Sequence, residues 1–314
     1  MEQASPATTA DVFRDEITRH TVVTDPKTGD EYRFYLLNRA YEGRQPVVIY
    51  NGFGSTPNTT LGQQYLWEYA RALERPIIAP MASHVRRRVH RRIFGDGHAR
   101  ALARITNDKL HVAGMSWGGV AAYSVAETLA GQTDHLVTLS SVGTLDHLTE
   151  YVFHAARMAR SEGPVIRDAL KVVAQDFDPR DLEHPPPTLD PLSKFRRALI
   201  MRRRSLEGVA HTLHPSTTWH DIIGENDLFT GYQQHAAAVL RRNILYPGTA
   251  SLTLIRNHGH MWAHMKSVLA LALRRSLAQK ESGMYREVDI LRTRTDFSGV
   301  DPDSVSGHGG PRVG

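Results

Sequence analysis

The sequence predicts an α/β protein with a mostly parallel central sheet, helices on both faces and a helical insertion. Three observations carry this. Short continuous apolar runs alternate with stretches of helical spacing, the pattern of strands buried on both faces and of the helices that cover them. The alternation stops over roughly 144–214, where helical pieces follow one another, and then resumes. Hydrophobic residues make up 41% and charged residues 23% of 314, the composition of a globule with a large core.

Each element has its own warrant. Residues 1–14 read as a flexible leader. Residues 17–24 (ITRHTVVT) and 31–37 (EYRFYLL) are β-rich and flank the turn-forming run DPKTGD, an antiparallel hairpin signal. PVVIYN (46–51) is a buried strand that ends in Asn51-Gly52-Phe53-Gly54. Leu61, Tyr65, Tyr69 and Leu73 then recur at helical spacing, and RPIIAP (75–80) is another buried strand. Residues 97–107 read as helix. LHVA (110–113) reads as strand and runs into Gly114-Met115-Ser116-Trp117-Gly118-Gly119; the helix after it stops at Gly131. LVTLSS (136–141) is the last strand before the insertion, which holds three helical stretches and the loop His184-Pro185-Pro186-Pro187. TWHDIIG (218–224) and ASLTLI (250–255) are strands, with helices over 231–242 and 264–280. From 296 the chain is rich in Gly, Ser, Pro and Asp and reads as a disordered tail. The expected plan is a core of 15–143 and 215–295, a cap of 144–214, a leader of 1–14 and a tail of 296–314.

Composition excludes several classes. With no Cys, there is no disulfide, thiolate metal site or Cys nucleophile. No apolar run approaches the length of a membrane span, and the first ten residues lack a secretory pattern, so the expected location is the cytoplasm. The net charge of +5 is a weak excess supplied almost entirely by Arg. It is concentrated at Arg86-Arg87-Arg88-Val89-His90-Arg91-Arg92 and at Arg196, Arg197, Arg202, Arg203 and Arg204. Such clusters are solvated faces or seats for an anionic, phosphate-bearing carrier. Few aromatics interleave them, which argues against nucleic acid as a partner.

The chemistry centres on Gly114-Met115-Ser116-Trp117-Gly118, a G-x-S-x-G pattern between a strand and a helix. A nucleophile on so tight a turn needs small neighbours, and the helix start aims free N–H groups at a developing oxyanion. On these residues the chain resembles the α/β-hydrolase superfamily over about 15–280. The resemblance implies a Ser, acid, His order on turns after successive strands. It assigns Ser116 as nucleophile. The acid is then Asp227, in Gly224-Glu225-Asn226-Asp227, with Asp146 or Asp221 as alternatives. The base is His260, in Asn257-His258-Gly259-His260, with His258 as competitor. The oxyanion donors become the backbone N–H groups of Phe53 and Trp117. This chain has Asn51-Gly52 where many relatives carry His-Gly.

The implied activity is two-step hydrolysis of a carboxylic ester, of the esterase or lipase kind, on a small-molecule or lipid-like acyl substrate, with no metal or organic cofactor. Ser rather than Asp at 116 argues against carboxylate-nucleophile mechanisms. The expected substrate-binding residues are Met115 beside the nucleophile and Phe153 and Met201 in the cap, with Val152, Met158 and Leu199 as further lining. A thioesterase or acyltransferase with the same triad is the first alternative, and a non-catalytic binding protein on this scaffold the second. Gly-x-Ser-Trp-Gly-Gly is also similar to the nucleophile turn of intracellular polyhydroxyalkanoate depolymerases. The spacing His258, His260, His264 admits a metal-site reading.

Overall fold

In the computed structural model, nine strands among the described residues form one sheet in the order β1-β2-β4-β3-β5-β6-β7-β8-β9. The structure describes residues 9–52, 55–81, 93–141, 153, 156–158, 160–164, 176–183, 206–227, 231–260, 265–282 and 288–291. The strands are β1 (Thr21–Thr24), β2 (Glu31–Leu37), β3 (Val47–Tyr50), β4 (Ile77–Pro80), β5 (Leu110–Met115), β6 (Thr133–Leu139), β7 (Thr218–Gly224), β8 (Ala250–Ile255) and β9 (Val288–Leu291). β1 and β2 form the expected hairpin, and β2 joins β4 antiparallel. Every other pairing is parallel.

Helices cover both faces. They are α1 (Thr9–Thr18), α2 (Thr60–Ala72), α3 (Ile93–Ile105), α4 (Trp117–Leu129), α5 (Leu206–Thr212), α6 (Tyr232–Leu245) and α7 (Lys266–Ser282). Alternate strand residues go to opposite faces. Val48, Val112, Leu136, Trp219 and Leu252 pack with α3, α4 and α6. Ile49, Ala113, Val137, Ile222 and Ile255 pack with α1, α2 and α7. A strand buried on both sides has no solvent-facing side, which is why β3 and β4 read as unbroken apolar runs.

The first expected boundary moves. Helix α1 occupies Thr9–Thr18, where a leader to 14 and a strand from 17 were expected. Phe13 and Ile17, four apart, both bury against the sheet, and that spacing selects helix. β9 was also not expected; Val288–Leu291 adds in parallel to β8.

The insertion lies between β6 and β7, and residues 156–158 and 160–164 within it are helical. Phe177 anchors it by packing on Phe13 and Trp67, with ring centroids 4.9 and 5.4 Å away. Trp67 Nε1 also donates to Asp176 Oδ1 at 3.1 Å. Among the described residues no helix is long and apolar enough to cross a membrane.

Candidate active site

Register places the ends of the parallel strands side by side: Tyr50 opposite Gly114, Met115 opposite Leu139, Leu139 opposite Ile222, and Gly224 opposite Ile255. The turns leaving these carboxyl ends build the site, where open α/β sheets place their ligands.

Ser116 joins β5 to α4 with φ 51° and ψ −121°, a left-handed conformation that strains any residue with a Cβ. Two hydrogen bonds hold it there. Its N–H donates to Leu139 O at 2.8 Å, and the Gly119 N–H donates to Ser116 O at 2.9 Å. The neighbours must be glycine. A Cβ at Gly114 would come 2.6 Å from Ala122 Cβ, and one at Gly118 would come 2.5 Å from Asn51 O.

The turns after β7 and β8 are joined through their backbones. Glu225 N–H donates to Ile255 O at 3.0 Å, and Asn226 N–H to His258 O at 2.9 Å. This brings Asp227 and His260 together. His260 Nδ1 lies 2.8 Å from Asp227 Oδ2, and Ser116 Oγ lies 2.9 Å from His260 Nε2. An ionised carboxylate only accepts, so Nδ1–H donates to Asp227 and Nε2 is left to accept the Ser116 hydroxyl proton. The three residues are between 3% and 8% exposed. Burial works against a charged imidazole. The Asp227 charge and hydrogen bond, then the Glu162 charge, outweigh it, so the His260 pKa is raised above its ordinary value.

The expected residues fall out as follows. Trp117 is the first residue of α4 and follows Ser116 directly. The turn after β3 reaches the same place, since a Cβ on Gly52 would lie 3.2 Å from Ser116 Cβ. Phe53 lies outside the described residues. Met115 is buried in the core on the α2 and α7 face, and Phe153, on the insertion, is 63% exposed. Met201, Val152, Leu199, Asp146, His264 and both Arg clusters lie outside the described residues, as do the tail and residues 1–8.

The competitors are engaged elsewhere. Asp221 points into the α4 and α6 face, where Thr138 Oγ1 donates to it at 2.6 Å and His235 Nδ1 lies 2.5 Å away. His258 Nδ1 donates to Arg256 O at 2.8 Å. One residue at the site was not expected. Glu162 Oε1 accepts the His260 backbone N–H at 3.2 Å. No local pattern marks it, because its position depends on how the insertion folds back.

No protein-family model and no curated protein sequence matches the chain. Solved structures do. A meta-cleavage product hydrolase from Pseudomonas fluorescens is 16% identical with a TM-score of 0.56, the match covering 84% of this chain and 98% of that one. A Pyrococcus furiosus esterase is 9% identical with a TM-score of 0.55, covering 84% and 90%. A serine hydrolase from Cycloclasticus is 12% identical with a TM-score of 0.55, covering 85% and 99%. The chain therefore has the α/β-hydrolase fold, with its helical insertion between β6 and β7.

Proposed function

We propose that this protein is a serine hydrolase that cleaves a carboxylic ester through an acyl-enzyme. The carrying observation is the hydrogen-bonded line from Ser116 Oγ through His260 to Asp227, ending on a strained strand-to-helix turn. A serine hydroxyl is a weak nucleophile until a base takes its proton, and that base needs an acid to hold its tautomer. That an esterase and a serine hydrolase share the fold adds support.

Ser116 Oγ attacks the ester carbonyl while its proton passes to His260 Nε2. The backbone N–H groups of Trp117 and Phe53 are assigned to the oxyanion. The tetrahedral intermediate collapses, the C–O bond to the alcohol breaks, and His260 returns the proton to the leaving alkoxide. Water then repeats the sequence on the acyl-enzyme, delivering its proton to His260 and its oxygen to the released acid. The insertion is assigned to the acyl side, with Phe153 and Met201 as the residues to vary, and Met115 supports the turn from beneath.

Fluorophosphonate labelling, with the adduct located by mass spectrometry, is the deciding experiment. A single adduct on Ser116, absent in Ser116→Ala, is expected. Folded protein that takes no label overturns the reading and returns the scaffold to a binding role. A matched panel of oxyesters and coenzyme A thioesters follows, with faster turnover expected on oxyesters. The reverse order would make the same site a thioesterase.

A further inference from the structure

Glu162 stands outside the Ser116, His260, Asp227 line, yet it meets the His260 turn in two ways. Its Oε1 accepts the His260 backbone N–H at 3.2 Å. Its carboxylate also occupies the space that a side chain at Gly259 would need, and any Cβ there would collide with it. Glu162 arrives from the helical stretch 160–164 of the insertion, not from the core.

We propose that Glu162 is a positioning residue: carried on the insertion, it clamps the turn that holds His260 and brings a second negative charge beside the imidazole, so the base is fully set only while the insertion is seated. The proposal deepens the reading of Ser116, His260 and Asp227 given above and rests on it.

The two contributions are separable. A hydrogen bond to an ionised acceptor is stronger than a neutral one, and this one is made by the peptide that carries the base. Holding that peptide fixes the approach of Nε2 to Ser116 Oγ, and small misplacements at such a contact are costly in rate. The charge acts through space instead. When His260 takes the serine proton it becomes an imidazolium, and a fixed carboxylate nearby favours that state. Among the described residues, two charged groups face the imidazole, Asp227 from the turn after β7 and Glu162 from the insertion. Among the described residues of these turns, the remaining carboxylate and imidazole are engaged with backbone groups. Glu225 Oε2 accepts the Asn257 N–H at 3.2 Å, and His258 Nδ1 donates to Arg256 O. The insertion has separate anchors at Asp176 and Phe177, so removing Glu162 leaves it attached to α1 and α2.

The test uses the full chain and two variants. Glu162→Gln keeps size and a hydrogen-bond acceptor and removes the charge; Glu162→Ala removes both. Two quantities are read across pH: the His260 titration by NMR of ring-labelled histidine, assigned with His260→Gln, and the fluorophosphonate labelling rate of Ser116. Glu162→Gln is expected to lower the His260 midpoint by about half a pH unit or more, with the high-pH labelling rate held within about twofold. Glu162→Ala is expected to lower the midpoint equally and to cut the high-pH rate about tenfold. A merely structural glutamate would move rate and midpoint together or neither. An unchanged His260 midpoint in Glu162→Gln overturns the charge role. Equal high-pH rates in wild type and Glu162→Ala overturn the clamp. If wild type takes no label, the triad reading fails by itself, and the NMR midpoints still report whether the Glu162 charge reaches the imidazole.

Discussion

Asp227 settles the roles of both ring nitrogens of His260. Its carboxylate accepts the Nδ1–H hydrogen bond at 2.8 Å and leaves Nε2 basic, 2.9 Å from Ser116 Oγ. Asp227→Asn keeps the shape but replaces an acceptor with an amide that can present N–H. The imidazole then turns or changes tautomer, and the labelling rate is expected to fall on the order of 10³- to 10⁴-fold. The pH dependence follows from the sign of the His260 shift. The imidazole must be neutral to act as base, and its pKa lies above the ordinary value of 6.5. Labelling of the wild type should therefore rise with pH through a midpoint above 6.5, and in Asp227→Asn that midpoint should move down. A midpoint that stays put in the variant would mean that another group governs the rise.

At the scale of elements, the site depends on how closely α4 approaches β3. Gly118 sits against the backbone oxygens of Tyr50 and Asn51, which cannot swing aside as a side chain can. Gly118→Ala is expected to lower stability by about 1–3 kcal/mol and to strip Ser116 labelling, because the β3 turn must retreat from Ser116. Gly208, inside α5, faces open space. Gly208→Ala is expected to keep labelling and to stabilise by about 0.5–1 kcal/mol. Thermal unfolding of the pair separates packing at the elbow from glycine loss in general. The same contrast explains what could be read in advance. Strands over 218–224 and 250–255 were legible because each is a short run rich in apolar and β-branched residues closed by polar turns. That Ser116, Asp227 and His260 would meet was legible because each follows such a strand. Helix α1 was missed because ITRHTVVT outweighed the Phe13, Ile17 spacing. β9 has only four residues, and its place is decided by pairing with β8, a contact distant in sequence. Glu162 has no signature in its own neighbourhood, since only the path of the insertion brings it to Gly259.

At the scale of the molecule, the sheet carries buried histidines near the amino ends of its central strands, away from the site. His111 of β5 and His135 of β6 are register partners with rings edge-on, 6.1 Å apart. His135 and His220 of β7 both reach Ser276 Oγ of α7, at 3.2 and 2.6 Å. Among the described residues neither ring nitrogen of His111 has a hydrogen-bond partner. Burial first, then the Arg75 charge, lowers the His111 pKa to about 3. Burial and its histidine neighbours hold His135 well below 6.5. A histidine depressed in the folded state binds its proton in the unfolded state first. Its penalty is therefore absent above about pH 6.5 and grows as pH falls toward the folded pKa. Each such histidine should cost about 1.4 kcal/mol per pH unit inside that window. His260 has the opposite sign: its contribution is complete below 6.5 and is lost as pH rises through its folded pKa, so it stays constant across the window in which the depressed histidines act. Net stability is expected to fall steeply between pH 6.5 and 4. His111→Phe fills the same place without a nitrogen to protonate or to leave unpaired. At pH 7 it should be as stable as wild type or better by about 1–3 kcal/mol, with Ser116 labelling unchanged. Between pH 6.5 and 4 its loss of stability should be shallower by one histidine's share. Urea unfolding midpoints at pH 7, 6 and 5 measure this directly. Parallel curves for wild type and His111→Phe would place the acid sensitivity elsewhere, at the carboxylates of the ion pairs.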